Sequence, residues 1–118
     1  MNQDNICALA TASGMGAIAV LRISGPDAID ICESIFESKR PGKLLGSQKS
    51  HTIHLGSIVN ENQMIDEVLV SLFKGPNSYT GDNVVEISCH GSTFIQQQIL
   101  RLLIHKGCRT ARPGEFTF

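Results

Sequence analysis

Between Val84 and His90 the side chains alternate. Val85, Ile87 and Cys89 fall on one face of an extended strand, and Val84, Glu86, Ser88 and His90 fall on the other. One face must therefore meet a core, while the other carries a carboxylate, a hydroxyl and an imidazole in a row. The turn formers Gly75-Pro76-Asn77-Ser78 and Gly81-Asp82-Asn83 precede the strand and frame a surface loop bearing Tyr79 and Thr80. Gly91 breaks the strand. Ser92 is placed to cap a helix whose first free N–H groups point back toward the polar row, a favourable position for an anion. Loop, polar strand face and helix start converge in this reading, as around a small-molecule pocket.

A second strand, Ala17 to Ser24, sets Ile18, Val20, Arg22 and Ser24 on one side and Ala19, Leu21 and Ile23 on the other. Arg22 is out of keeping with so apolar a strand, because burying an unpaired charge costs at least several kcal/mol. It needs either an internal carboxylate such as Glu86 or an anionic or carbonyl group on a ligand. The residues alone favour the internal pair slightly.

The other elements follow from periodicity and punctuation. Ile6 to Thr11 reads as a short strand. Ala12-Ser13-Gly14-Met15-Gly16 reads as a hairpin turn, since it lacks the third glycine and the following helix of a dinucleotide fingerprint or a P-loop. Gly25-Pro26 leads into a helix over Asp27–Phe36 with an apolar stripe at Ala28, Ile31, Cys32, Ile35 and Phe36. Lys39, Arg40, Lys43 and Lys49 lie in a Gly- and Ser-rich surface connection and read as solvated charges rather than nucleic-acid contacts. His51–Val59 and Ile65–Phe73 form a hairpin whose second strand is central. His51 and His54 are three apart and diverge on a strand, which argues against a shared metal; adjacent Asp66 and Glu67 read as rim charges. Ser92–Lys106 is the second helix. Cys108–Ala111 is expected to return as a strand parallel to Val84–His90 through a right-handed crossover. The expected fold class is α+β: one domain, residues 1–118, with a mixed, mainly antiparallel sheet of about five to six strands and two main helices.

Formal charge is −1 and 42% of side chains are apolar, so nothing in the composition biases the chain toward nucleic acid or membrane. No apolar run approaches the roughly eighteen residues of a membrane helix, and the polar start Met1-Asn2-Gln3-Asp4-Asn5 has no basic region. A cytoplasmic protein is expected. Cys7, Cys32, Cys89 and Cys108 are widely spaced in apolar runs and read as buried free thiols.

Three motifs, in order, cover nearly the whole chain: Arg22-Ile23-Ser24-Gly25-Pro26; Gly75-Pro76-Asn77-Ser78-Tyr79-Thr80-Gly81-Asp82 with Val85-Glu86 and His90-Gly91; and Ala111-Arg112-Pro113-Gly114-Glu115-Phe116-Thr117. Together they resemble the N-terminal domain of the tRNA modification GTPases of the MnmE, or TrmE, family. The resemblance implies a fold similar to the folate-binding domains of glycine-cleavage aminomethyltransferases, binding of formyl- or methylene-tetrahydrofolate for one-carbon transfer, and homodimerisation. It implies folate contacts at Arg22 and Glu86, no catalytic residue and no metal in this stretch. It also implies that GTP, magnesium and potassium belong to a GTPase domain outside this stretch, so these residues alone hydrolyse no GTP. With a flavoprotein partner, MnmG, the family adds an aminomethyl-type group to the wobble uridine of tRNA. A third family contact, a lysine in an Asn-x-Lys-Leu-Asp motif, would fall beyond Phe118. The family's Pro-Pro-Gly-Arg-Gly-Gly turn reads Ala12-Ser13-Gly14-Met15-Gly16-Ala17 here, without its basic side chain.

Other classes compete with this reading. In a purely structural dimerisation module, Arg22 and Glu86 would serve only each other. A stand-alone folate-dependent aminomethyltransferase-like protein would use the same fold. A small enzyme acting through Cys89 and His90 would need a bulge, since adjacent strand residues point oppositely.

Overall fold

In a computed structural model, residues 4–10, 17–76 and 82–116 are described. The chain runs β1 (Asn5–Leu9), β2 (Ile18–Ser24), α1 (Ala28–Ile35), β3 (Phe36–Ser38), a 3₁₀ turn (Leu45–Ser47), β4 (Thr52–Asn60), β5 (Gln63–Phe73), β6 (Val84–His90), α2 (Thr93–His105) and β7 (Cys108–Thr110). Among the described residues seven strands form one sheet in the order β3-β4-β5-β6-β2-β1-β7. Among these strands each pairing is antiparallel except that of β1 with β7. The α+β class and the two helices are as the sequence implies. The strand beyond those expected is β3, whose three residues are too few for alternation to register.

β7 does not lie beside β6. It pairs with β1, through Asn5↔Cys108 and Cys7↔Thr110. β6 already has β5 on one side and β2 on the other, so no edge was open to a returning strand. The crossover through α2 instead ends beyond β2 and β1, with β7 still running in the direction of β6.

Both helices cover one face of the sheet. Ile31, Cys32 and Ile35 of α1 and Ile99, Leu102 and Leu103 of α2 share a core with Cys7, Leu21, Ile23, Val68, Val70, Leu72, Val85 and Ile87. Enclosing each large aliphatic side chain is worth about 1.5–3 kcal/mol, so this layer carries most of the stability. Gln96 is polar but stands three residues before Ile99 and seven before Leu103, on the buried stripe of α2; there its Nε2 donates to Gly91 O at 3.2 Å and closes the β6–α2 turn.

Gly25 connects β2 to α1 with φ +151°. A Cβ there would lie 2.3 Å from Asn5 Oδ1 and 2.7 Å from Asn5 Cα. The Asn5 side chain fills that space to start the helix: Oδ1 accepts from Asp27 N at 2.8 Å, and Nδ2 donates to Asp27 Oδ2 at 3.2 Å. The Gly25 of the first motif is thus a packing requirement, distinct from what Arg22 does.

Candidate functional site

Register places Arg22 directly opposite Glu86 on β2 and β6, with Ser71 of β5 beyond Glu86 and Ala8 of β1 beyond Arg22. All four lie on the sheet face away from the helices. Arg22 donates from Nε at 2.8 Å and from Nη2 at 2.6 Å to Glu86 Oε2. The two side chains keep 29% and 22% of their surface exposed. They are drier than a solvated rim pair, yet within reach of a ligand arriving from that face. The Phe116 ring lies over the Arg22 guanidinium, 5.8 Å from Cζ to centroid.

The first two motifs meet beside this row. Asn83 Oδ1 accepts from Gly75 N, and Asn83 O accepts from Gly25 N, both at 3.0 Å. One asparagine therefore ties the loop before β6 to the turn after β2. Tyr79, Thr80 and the Gly14-Met15-Gly16 turn lie outside the described residues.

The polar row continues through half-buried Ser88 to His90, whose side chain is 69% exposed. Here the structure corrects the reading of Asp66 as a rim charge. Its carboxylate is only 8% exposed; Oδ1 lies 2.7 Å from His90 Nδ1, and Oδ2 accepts from His90 N at 2.8 Å. Asp66 shares the parity of Val68, Val70 and Leu72, the inward residues of β5, and that alternation was the overlooked sign. Glu67, on the opposite parity, is exposed and pairs with Lys39 at 2.9 Å. The start of α2 does not converge on Glu86 either. Ser92 caps the helix, accepting from Ile95 N at 3.3 Å, but α2 packs on the other face.

Cys89 and His90 point to opposite faces. Burial, and then the nearby Asp66 carboxylate, push the Cys89 thiol up to about 11, which removes it as a nucleophile at neutral pH. All four cysteines are free and buried. Burial raises Cys32 to about 12, and a hydrogen bond with Cys7 pushes Cys108 up as well. His51 precedes β4 in a positive-φ conformation, φ 64°, edge-on to the Phe73 ring. His54 is buried with its Nε2 2.8 Å from Thr52 Oγ1. Among the described residues, no group of three or more His, Cys, Asp or Glu side chains could hold a metal, and no helix is long and apolar enough to cross a membrane.

What the Arg22–Glu86 row offers is a carboxylate acceptor beside a guanidinium donor on a flat, partly apolar surface. That pattern suits a planar molecule with adjacent N–H donors and a carbonyl. Exposed Ile18, Ile53, Leu55 and Leu69 lie on the same face.

A family profile described as "GTP-binding protein TrmE N-terminus" matches residues 5–118. Among similar proteins, the tRNA modification GTPase MnmE of Flavobacterium johnsoniae is 63% identical over 117 residues, 99% of this chain and 25% of that protein. The protein of the same name from Bacteroides thetaiotaomicron is 57% identical over 117 residues, with the same coverage. That from Cytophaga hutchinsonii is 54% identical over 114 residues, 97% of this chain and 24% of its own. The chain thus spans about a quarter of the length of these relatives. By both the profile and these identities, the chain belongs to the TrmE N-terminus family of tRNA modification GTPases.

Proposed function

We propose that residues 1–118 act as one tetrahydrofolate-binding and homodimerisation unit, with Arg22 and Glu86 as the ligand contacts. The observation that carries the reading is the Arg22–Glu86 pair, held at 2.6 and 2.8 Å on the open sheet face with part of each group still accessible. A pterin edge presents an amino group beside a ring N–H, and one carboxylate can accept both. Glu86 suits that task. Arg22 holds the carboxylate in place and sets a positive charge beside a carbonyl or the glutamate end of the same molecule. When bound, a formyl- or methylene-tetrahydrofolate supplies a one-carbon unit; the described residues contribute binding and orientation.

Homodimerisation is supported by Ile18, Ile53, Leu55 and Leu69, exposed together on that face. In the whole protein, following the names of its relatives, we assign this unit to a cytoplasmic tRNA modification GTPase. There it would serve, with a flavoprotein partner, the addition of an aminomethyl-type group to the wobble uridine, while GTP, magnesium and potassium would be bound by other parts of that protein.

Calorimetry with formyltetrahydrofolate tests the ligand reading. Glu86→Ala should weaken binding roughly ten- to a hundredfold, and unchanged affinity would overturn the reading. One observation favours a second reading, a dimerisation scaffold without ligand: Arg22 and Glu86 already satisfy one another. Sedimentation with and without the folate separates the two, because a pure scaffold dimerises identically in both and shows no uptake of ligand.

A further inference from the structure

Beyond β7 the chain makes a tight turn. Glu115 N donates to Arg112 O at 3.1 Å, Gly114 sits at φ 82°, and Glu115 Oε1 accepts from Arg112 N. Arg109 grips this turn from β7 through a two-pronged bond, Nη1 to Oε1 of Glu115 at 2.7 Å and Nη2 to Oε2 at 2.6 Å. Its Nε is anchored in turn on Asp4 Oδ2 at 2.8 Å. The Arg109 guanidinium, and then the Arg112 N–H, hold the Glu115 carboxyl down at about 2.

Packing alone does not account for so firm a hold. Arg112, Pro113 and Gly114 are exposed, and no residue of the turn belongs to the hydrophobic core. What the clamp does fix is the next residue, because Phe116 is the ring lying over the Arg22 guanidinium. A planar heterocycle received edge-on by Glu86 would lie alongside Arg22, and Phe116 borders that space.

We infer that Phe116 is an aromatic wall of the Arg22–Glu86 site for a planar, conjugated heterocycle, and that Arg109 is the positioning residue that sets it by holding Glu115. The inference rests on the ligand reading above and adds two residues to it. Among the described residues Arg109 bonds to Asp4, Thr110 and Glu115, so it acts through the turn.

The test pairs formyltetrahydrofolate calorimetry with the NMR position of the Arg22 Nε–H, which senses the ring above it whether or not ligand is present. Phe116→Leu should lower affinity about three- to tenfold, Phe116→Tyr should retain it, and Arg109→Gln should match Phe116→Leu in both affinity and Arg22 shift. Neither position lies in the core, so the backbone spectra of β2 and β6 should stay native in all three variants. If Glu86→Ala weakens binding but Phe116→Leu or Arg109→Gln does not, the inference fails alone. If Arg109→Gln leaves the Arg22 Nε–H unmoved, Arg109 is not the positioning residue. If the unaltered chain takes up no formyltetrahydrofolate, or Glu86→Ala binds as well as it does, the ligand reading fails and the wall with it.

Discussion

The two faces of one sheet obey different rules. Beneath the helices, Leu21, Ile23, Val85 and Ile87 of β2 and β6 are fully enclosed. One residue away on the same strands, Arg22 and Glu86 face outward, pair with each other and stay accessible. Alternation lets a single backbone carry both surfaces. The difference teaches that stability and recognition are separable here: a change on the inner face should act on folding, and a change on the outer face on whatever arrives there.

Truncation is the bluntest way to break that comparison. Leu21→Ala or Ile87→Ala should cost about 2–5 kcal/mol of folding free energy, whereas Ser88→Ala, half-buried on the outer face, should change it by about 0.5 kcal/mol or less. Denaturant unfolding of the three variants decides it, and equal losses would erase the distinction between the faces.

Asp66 belongs to the inner parity but serves an outer residue, so it tests the boundary. Asp66→Ala leaves the His90 N–H without its acceptor and should cost about 1–3 kcal/mol, whereas His90→Ala, which removes the more exposed partner, should cost less. If the two lose the same amount, the pair is a simple surface contact.

Acid should act on both faces with the same sign, and its effects are the smallest of the set. Burial, and then Lys43, lower the pKa of His54 below its ordinary 6.5. The unfolded chain therefore takes up a proton first, so stability held above pH 6.5 falls as pH drops below it. Glu115, at about 2 against an ordinary 4.5, adds a second loss between those two values on the outer face. Unfolding midpoints measured from pH 7.5 downward should decline in both windows, and His54→Gln should flatten only the upper one. A midpoint that rises on acidification would contradict both assignments.

Much of this plan was legible in residue order, and the exceptions have physical causes. β2, β6, the central hairpin and both helices are written in local periodicity, which needs no knowledge of the partner. Arg22 with Glu86 was legible as one of two options, because a lone guanidinium in an apolar strand demands an answer. Asp66 was misplaced because two adjacent charges look like a rim, while the inward parity of Val68, Val70 and Leu72 decides the matter. The partner of β7 was hidden because strand pairing across a hundred residues depends on which edges remain free, a property of the assembled sheet. Arg109 was missed for a related reason: it is bound to Asp4 at the far end of the chain, and nothing local marks it.

The most direct test measures two quantities on one variant. For Glu86→Gln, which keeps the shape and removes the charge, formyltetrahydrofolate affinity and the unfolding midpoint should separate: binding weaker by about tenfold or more in a chain that stays folded, and stability lower by about 1–3 kcal/mol because the part-buried Arg22 loses its counter-charge. Undiminished affinity, or a loss of affinity that only tracks unfolding, would contradict the assignment of the outer face to recognition.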